Sequence, residues 1–339
     1  MQVTRRDFLK LVGVSAAAIG LSAADLGHLE EALANPSAPS VIWLQGASCT
    51  GCSVSFLNRV STTAPVSAAD VLVNSINLVY HPQLMSLAGQ SAVAAAQTAY
   101  NKGGYILVLE GGIPTAFNGG TCFAWTFNGV DVTFKDAVTT LANSASILIA
   151  AGTCASYGGV AAAPPNPTGV KGLKDFTGKS VINIPGCPTH PDWLVWTIVQ
   201  LLLNNPMPLD SNGRPTGLFS RTVHSQCPRR ETDEAGTFGV DKHCLRELGC
   251  RGPETICSCP TTLWNGKTNW CIDANAPCIG CTSPTFPGTG AFYTRGGSSG
   301  NNSTTPTRTS TGSGNTTPTY GSNGGGSGDD NQGEGGRDD

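Results

Sequence analysis

The chain has 339 residues, of which 13% are charged, and a formal net charge of −3. That length can bury a real core and suits two modest domains with appendages. It shows no basic field, which argues against nucleic acid as a partner.

The first 34 residues read as an export leader. Arg5 and Arg6 precede a short apolar stretch, Leu11–Ala23, and Ala32-Leu33-Ala34 makes a small-residue cleavage site. This is the pattern of a twin-arginine signal, rather than a chance arginine pair before an amphipathic helix. The stretch is too short to span a membrane, and no later segment has about 18 uninterrupted apolar residues. The mature chain is therefore expected to be soluble, with no transmembrane helix of its own. Its expected location is the periplasm or the outer face of the cell membrane. Because that route exports folded proteins, a cofactor inserted in the reducing cytoplasm can cross with the chain.

From Val41 to about Asn204, strand-like and helix-like segments alternate. The apolar runs Val41–Leu44, Val71–Tyr80, Tyr105–Leu109, Ser146–Ala151 and Ser180–Ile184 read as strands buried on both faces. Ser86–Tyr100, Asp136–Ser144 and Pro191–Asn204 read as helices between and after them. The pattern predicts an α/β domain over 40–205, a flavodoxin-like doubly wound parallel sheet. Residues 206–292 are rich in Pro, Gly and Cys and predict an irregular domain of coil and short helices. Such a segment cannot bury enough surface alone, so something must staple it. From 293 to 339 the composition predicts a disordered polar tail. Asn302 and Asn315 match glycosylation acceptors there, which this composition produces by chance.

The chain has 13 cysteines, an odd number, so complete disulfide pairing is excluded. Cys49 and Cys52 follow the first apolar run, Cys154 follows "SILIAAGT" and Cys187 follows "SVINIPG". In an open parallel sheet these loops converge at the carboxyl ends of the strands. Four thiolates meeting there suit zinc or a four-iron cluster. The second half adds His224 and Cys227, then Cys244 and Cys250, then Cys257, Cys259, Cys271, Cys278 and Cys281. Twelve of these ligands make three sets of four, more economical as clusters than as disulfides. Cys122 and Cys257 read as ordinary buried thiols. His28, His81 and His190 read as structural, and His243 is a weaker ligand candidate than His224. Neither "CTGC" nor "CIGC" is followed by His, so c-type haem is not indicated. No Ser-His-Asp set, carboxylate pair or nucleotide loop stands out.

The ordered series "WLQGASCTGCSVSFLN", "EGGIPT", "GTCASYGG", "PGCPTHPDW", "HSQCP", "CLRELGCRGP", "CPTTLWN", "NWC" and "PCIGCTSPTFP" resembles the small, electron-transferring subunit of nickel–iron hydrogenases. The resemblance covers nearly all of Val41–Phe292 and implies three [4Fe-4S] clusters. It assigns Cys49, Cys52, Cys154 and Cys187 to a proximal cluster, and His224, Cys227, Cys244 and Cys250 to a distal one. The medial cluster is assigned Cys259, Cys278 and Cys281. Many relatives have proline after "NW" and hold a three-iron medial cluster. Here Cys271 stands at that position and supplies a fourth thiolate, as in the nickel–iron–selenium branch, with Cys257 as its rival.

The resemblance also implies a periplasmic, uptake-type enzyme, H2 = 2 H+ + 2 e−, with the hydrogen chemistry on a separate large subunit. No residue of this chain is assigned a catalytic role. The expected partners are that large subunit and a cytochrome-type or membrane electron acceptor. Two departures stand out. Gly51 and Gly159 occupy the positions of the extra cysteines of oxygen-tolerant relatives, and Ser48 replaces a glutamate found in many others. The alternatives are an electron-transfer subunit of another iron–sulfur oxidoreductase and a disulfide-stapled secreted binding protein. If clusters cross-link Pro206–Phe286, that segment is expected to be unfolded without iron.

Overall fold

The structure, a computed structural model, describes residues 38–61, 67–290 and 292–293. The expected leader, His28 and nearly all of the expected tail lie outside the described residues. β1 (Ser40–Gln45), β2 (Asn77–Tyr80), β3 (Ile106–Glu110), β6 (Ile147–Ala151) and β7 (Ile182–Ile184) form one sheet in the order β2-β1-β3-β6-β7. Every pairing in it is parallel. With the hairpin strands β4 (Phe123–Phe127) and β5 (Val130–Thr133) set aside, this is the 2-1-3-4-5 order of the flavodoxin-like fold, as the alternating pattern predicts.

Continuous apolar runs follow from a sheet covered on both faces. Val41, Trp43, Ile106, Val108 and Ile149 face one layer, with Phe56, Val71, Trp193 and Val199. Ile42, Leu44, Leu107, Leu109 and Leu148 face the other, with Ala96, Phe134, Val138 and Leu141. The helices of the first layer are α1 (Gly51–Leu57), α2 (Ala68–Asn74) and α7 (Pro191–Leu202), and those of the second are α3 (Gly89–Lys102) and α4 (Phe134–Ser144). Fully buried side chains such as Leu44 and Leu107 each contribute about 1.5–3 kcal/mol by leaving water.

Two expectations need correction. The run Val71–Tyr80 is not one strand, because α2 takes its first half and β2 its last four residues. Ser67 accepts from the Asp70 backbone while the Asp70 carboxylate accepts from the Ser67 N–H at 2.9 Å. That capping box starts a helix, which overrides the strand preference of Val71. The hairpin of β4 (Phe123–Phe127) and β5 (Val130–Thr133) is absent from the predicted elements. Its signal is nonetheless legible: Asn128-Gly129, both at positive φ, is the pair that a tight hairpin turn favours.

Beyond Leu202 the regular elements are short, including α8 (Val223–Gln226) and α9 (Cys259–Thr262). This stretch packs on α7 and shares its core. The Trp193 and Phe219 rings lie 5.1 Å apart, and Trp193 Nε1 donates to Ser258 Oγ at 2.9 Å. All described residues belong to one compact unit. Among them, no helix is long and apolar enough to cross a membrane.

Candidate metal centres

Gln45 pairs with Glu110 and Glu110 with Ala151, so the carboxyl ends of β1, β3 and β6 are level. The loops that leave them carry the first thiol set. Cys49 lies in the turn after β1, where Thr50 takes φ 65 and its N–H donates to Ser48 Oγ at 3.0 Å. That turn puts Cys52 in the first turn of α1. Cys154 sits in the first turn of α5 (Thr153–Tyr157), after β6, and Cys187 follows β7.

The four thiols feel one another. Burial pushes Cys52 well up, followed by the charge of Glu110, with Cys154 and Cys187 adding to it. Burial also raises Cys154, with a contribution from Cys49. Cys187 is pushed up to about 11 by burial, then by Cys154 and Cys49. A Cβ on Gly152 would sit 2.3 Å from Cys52 Sγ, and one on Gly159 2.8 Å from Cys154 Sγ. Glycine is what lets the backbone pass this close to sulfur.

A second group lies far along the chain. His224, Cys227, Cys244 and Cys250 line one small cavity, walled by Val223, Leu245 and Ile272. α8 presents His224 and ends at Cys227, with Thr222 capping it by accepting from the Ser225 N–H. Burial raises Cys227 and Cys250, and each also feels Cys244.

Between these two groups lies a third. Cys281 is pushed up to about 12, first by burial, and it feels Cys257, Cys271 and, from the first set, Cys187. Thr153, beside Cys154, donates its hydroxyl to the Cys281 carbonyl. On the opposite side, burial raises Cys278 and Cys271, and both feel Cys250 of the second group. The Arg251 N–H donates to the Cys278 carbonyl at 2.7 Å. Cys271 is itself exposed, between buried Trp270 and Ile272, yet partial burial of its thiol is the leading cause that raises it.

Cys257 is buried, as the sequence reading has it, and lies close enough to Cys259 and Cys281 to affect both. The C-x-C spacing is the signal that points to it. His81 and His190 have the structural roles expected of them. His190 caps α7 by accepting from the Asp192 N–H at 3.1 Å, and its Nε2 lies 2.6 Å from the Leu263 carbonyl oxygen.

None of the thirteen cysteines is in a disulfide. Soft thiols raised by burial and by mutual repulsion become thiolates when a positively charged metal group compensates them. Among the described residues, no three of His, Cys, Asp or Glu close tightly enough to hold a single metal ion.

The comparisons with known proteins give the family. Residues 49–201 match the 20 Kd subunit family of NADH ubiquinone oxidoreductase, and residues 219–294 match the C-terminal family of NiFe/NiFeSe hydrogenase small subunits. The chain is 37% identical to the periplasmic [NiFeSe] hydrogenase small subunit of Desulfomicrobium baculatum, over 86% of this chain and 99% of that one. It is 40% identical to the periplasmic [NiFe] hydrogenase small subunit 1 of Nitratidesulfovibrio vulgaris, over 84% and 90%. The solved [NiFeSe] hydrogenase of Desulfovibrio vulgaris Hildenborough superposes with a TM-score of 0.70 at 38% identity, covering 75% of this chain and 96% of that one. With likeness of that extent across both halves, the chain belongs to the family of nickel–iron and nickel–iron–selenium hydrogenase small subunits, whose hydrogen chemistry takes place on a partner large subunit.

Proposed function

We propose that this protein relays electrons between the nickel–iron site of its large subunit and an external acceptor, a cytochrome-type or membrane carrier. Cys49, Cys52, Cys154 and Cys187 would hold a proximal four-iron cluster. Cys259, Cys271, Cys278 and Cys281 would hold a medial one, and His224, Cys227, Cys244 and Cys250 a distal one. Each cluster, when bound, supplies reversible one-electron exchange. The observation that carries this reading is the serial placement of the three groups. Thr153, beside Cys154, donates to the Cys281 carbonyl on one side, and Arg251, beside Cys250, donates to the Cys278 carbonyl on the other.

The chain's own residues support a direction. Cys49 and Cys187 are exposed, and exposed Val54, Leu57, Val60 and Val160 flank the first set. An apolar patch beside exposed thiols suits burial under the large subunit. His224, at the far end, suits the exit to the external carrier. Periplasmic relatives support a periplasmic location, and the Arg5-Arg6 leader pattern supports the twin-arginine route.

Metal analysis of the complex, purified without oxygen through a tag on this chain, tests the reading. About twelve irons are expected here, with nickel and about one further iron from the large subunit. About eleven cluster irons with a three-iron paramagnetic signal would remove Cys271 from the medial set. Zinc without iron would overturn the relay.

A further inference from the structure

Thr153 opens α5, directly after Gly152, and is 1% exposed. Its backbone N–H donates to the Gly186 carbonyl at 2.9 Å, and the Gly186 N–H donates back to Thr153 Oγ1 at 2.8 Å. The hydroxyl hydrogen of Thr153 goes to the Cys281 carbonyl, 128 residues away in sequence. One buried hydroxyl therefore accepts from the residue before Cys187 and donates to Cys281, while its own residue precedes Cys154. Neither bond serves its own helix, where a threonine would ordinarily act as a cap. A backbone hydrogen bond from Cys187 also reaches the Cys281 thiol. Cys281 is thus tied to the first set at two of its atoms.

The stretch Cys278–Cys281 is held from its other end as well. The Arg251 N–H donates to the Cys278 carbonyl at 2.7 Å. Gly280 turns the chain between the two cysteines at φ 75, and a Cβ there would lie 3.3 Å from both Arg251 Cδ and Thr255 Oγ1. On that side the turn is packed as well as hydrogen-bonded. On the side of the first set, the one side-chain hydrogen bond to the Cys281 carbonyl is that of Thr153.

We propose that Thr153 is the positioning residue between the first and third thiol sets, its hydroxyl fixing the separation across which an electron passes from one to the other. A β-branched side chain has few rotamers, so the hydroxyl is held in place before the two loops meet. Electron exchange falls off steeply as the gap between redox groups widens, so even a small loosening of this junction slows it. The inference rests on the reading of both sets as clusters.

The tagged heterodimeric complex, purified without oxygen, supplies the test. When neighbouring clusters are both reduced, their magnetic interaction splits the paramagnetic resonance spectrum, and the splitting weakens steeply with separation. Thr153→Ser keeps the hydroxyl and should give full iron and the wild-type splitting. Thr153→Val keeps the shape but leaves the Cys281 carbonyl and the Gly186 N–H unpaired. First-set iron should persist, because the Thr153 backbone still holds Gly186, while the splitting weakens or the third set loses its iron. If the added methyl prevents assembly, Thr153→Ala removes the crowding together with the hydroxyl and gives the same readout.

A wild-type splitting in an iron-loaded Thr153→Val or Thr153→Ala complex would overturn the proposal, as would an altered splitting in Thr153→Ser. Loss of first-set iron with the third set intact would overturn it too, by showing that the hydroxyl serves the Cys187 loop alone. A wild-type complex without iron in either set would instead sink the underlying cluster reading, before any variant is made.

Discussion

Gly152 and Cys52 approach so closely that a Cβ on the glycine would lie 2.3 Å from the cysteine sulfur. Gly152 also takes φ 88, a region that L side chains avoid. Space and backbone conformation thus both demand glycine between β6 and the first set.

Gly152→Ala is therefore expected to displace Cys52 and empty the proximal site, with about 1–3 kcal/mol of backbone strain besides. Iron content and thermal unfolding of the complex check this. Full iron and an unchanged transition would show that the loop gives way freely.

The medial set makes a sharper chemical claim. Cys271→Pro, which restores the residue found in many relatives, is expected to lower the iron count by about one and yield a three-iron paramagnetic signal. Cys257→Ala is expected to leave both unchanged. If the two variants exchange these phenotypes, Cys257 is the fourth ligand.

Val54, 51% exposed on α1, lies beside the exposed thiols. Val54→Asp is expected to leave the isolated fold intact while abolishing co-purification of the large subunit, since a buried unpaired charge at an interface is strongly unfavourable. Undiminished pairing would place the large subunit on another face.

Burial lowers His81 to about 4, against a pull upward from Glu110. The unfolded ring titrates near about 6.5. Between those values the unfolded chain binds the extra proton, so this contribution is fully present above about pH 6.5 and is lost as pH falls toward about 4. After allowance for solvent screening, about 2 kcal/mol is at stake. Denaturant unfolding of wild type and His81→Gln should therefore converge as pH falls through that window. Parallel curves would mean that His81 contributes no such term.

Removing metal should act unevenly. α8 and α9 have four residues each, too short to persist without support. Iron chelation, or Cys250→Ser, is expected to make residues 206–286 protease-sensitive while the five-stranded sheet survives. Resistance of that segment in the apo protein would show that its shared core with Trp193 and Phe219 suffices.

Much of this protein is legible in the sequence alone. Apolar runs of strand length, glycine-flanked cysteines after three of them, and a Pro-, Gly- and Cys-rich second half determine the sheet, the edge where the first thiols gather and the irregular second half. These are local signals, because burial on both faces and ligand spacing act over a few residues. The half-helical character of Val71–Tyr80 is hidden, since a capping box outweighs β-branched propensity only once the chain turns at Ser67. What the tertiary structure alone decided is long-range. It set the third thiol group between the other two and aimed Trp43, Gln45, Ser53 and, through Ser53, His81 at Glu110. Glu110 is 57 residues from Ser53 in sequence. No periodicity reports such a meeting, because it exists only after parallel pairing brings the ends of β1 and β3 level.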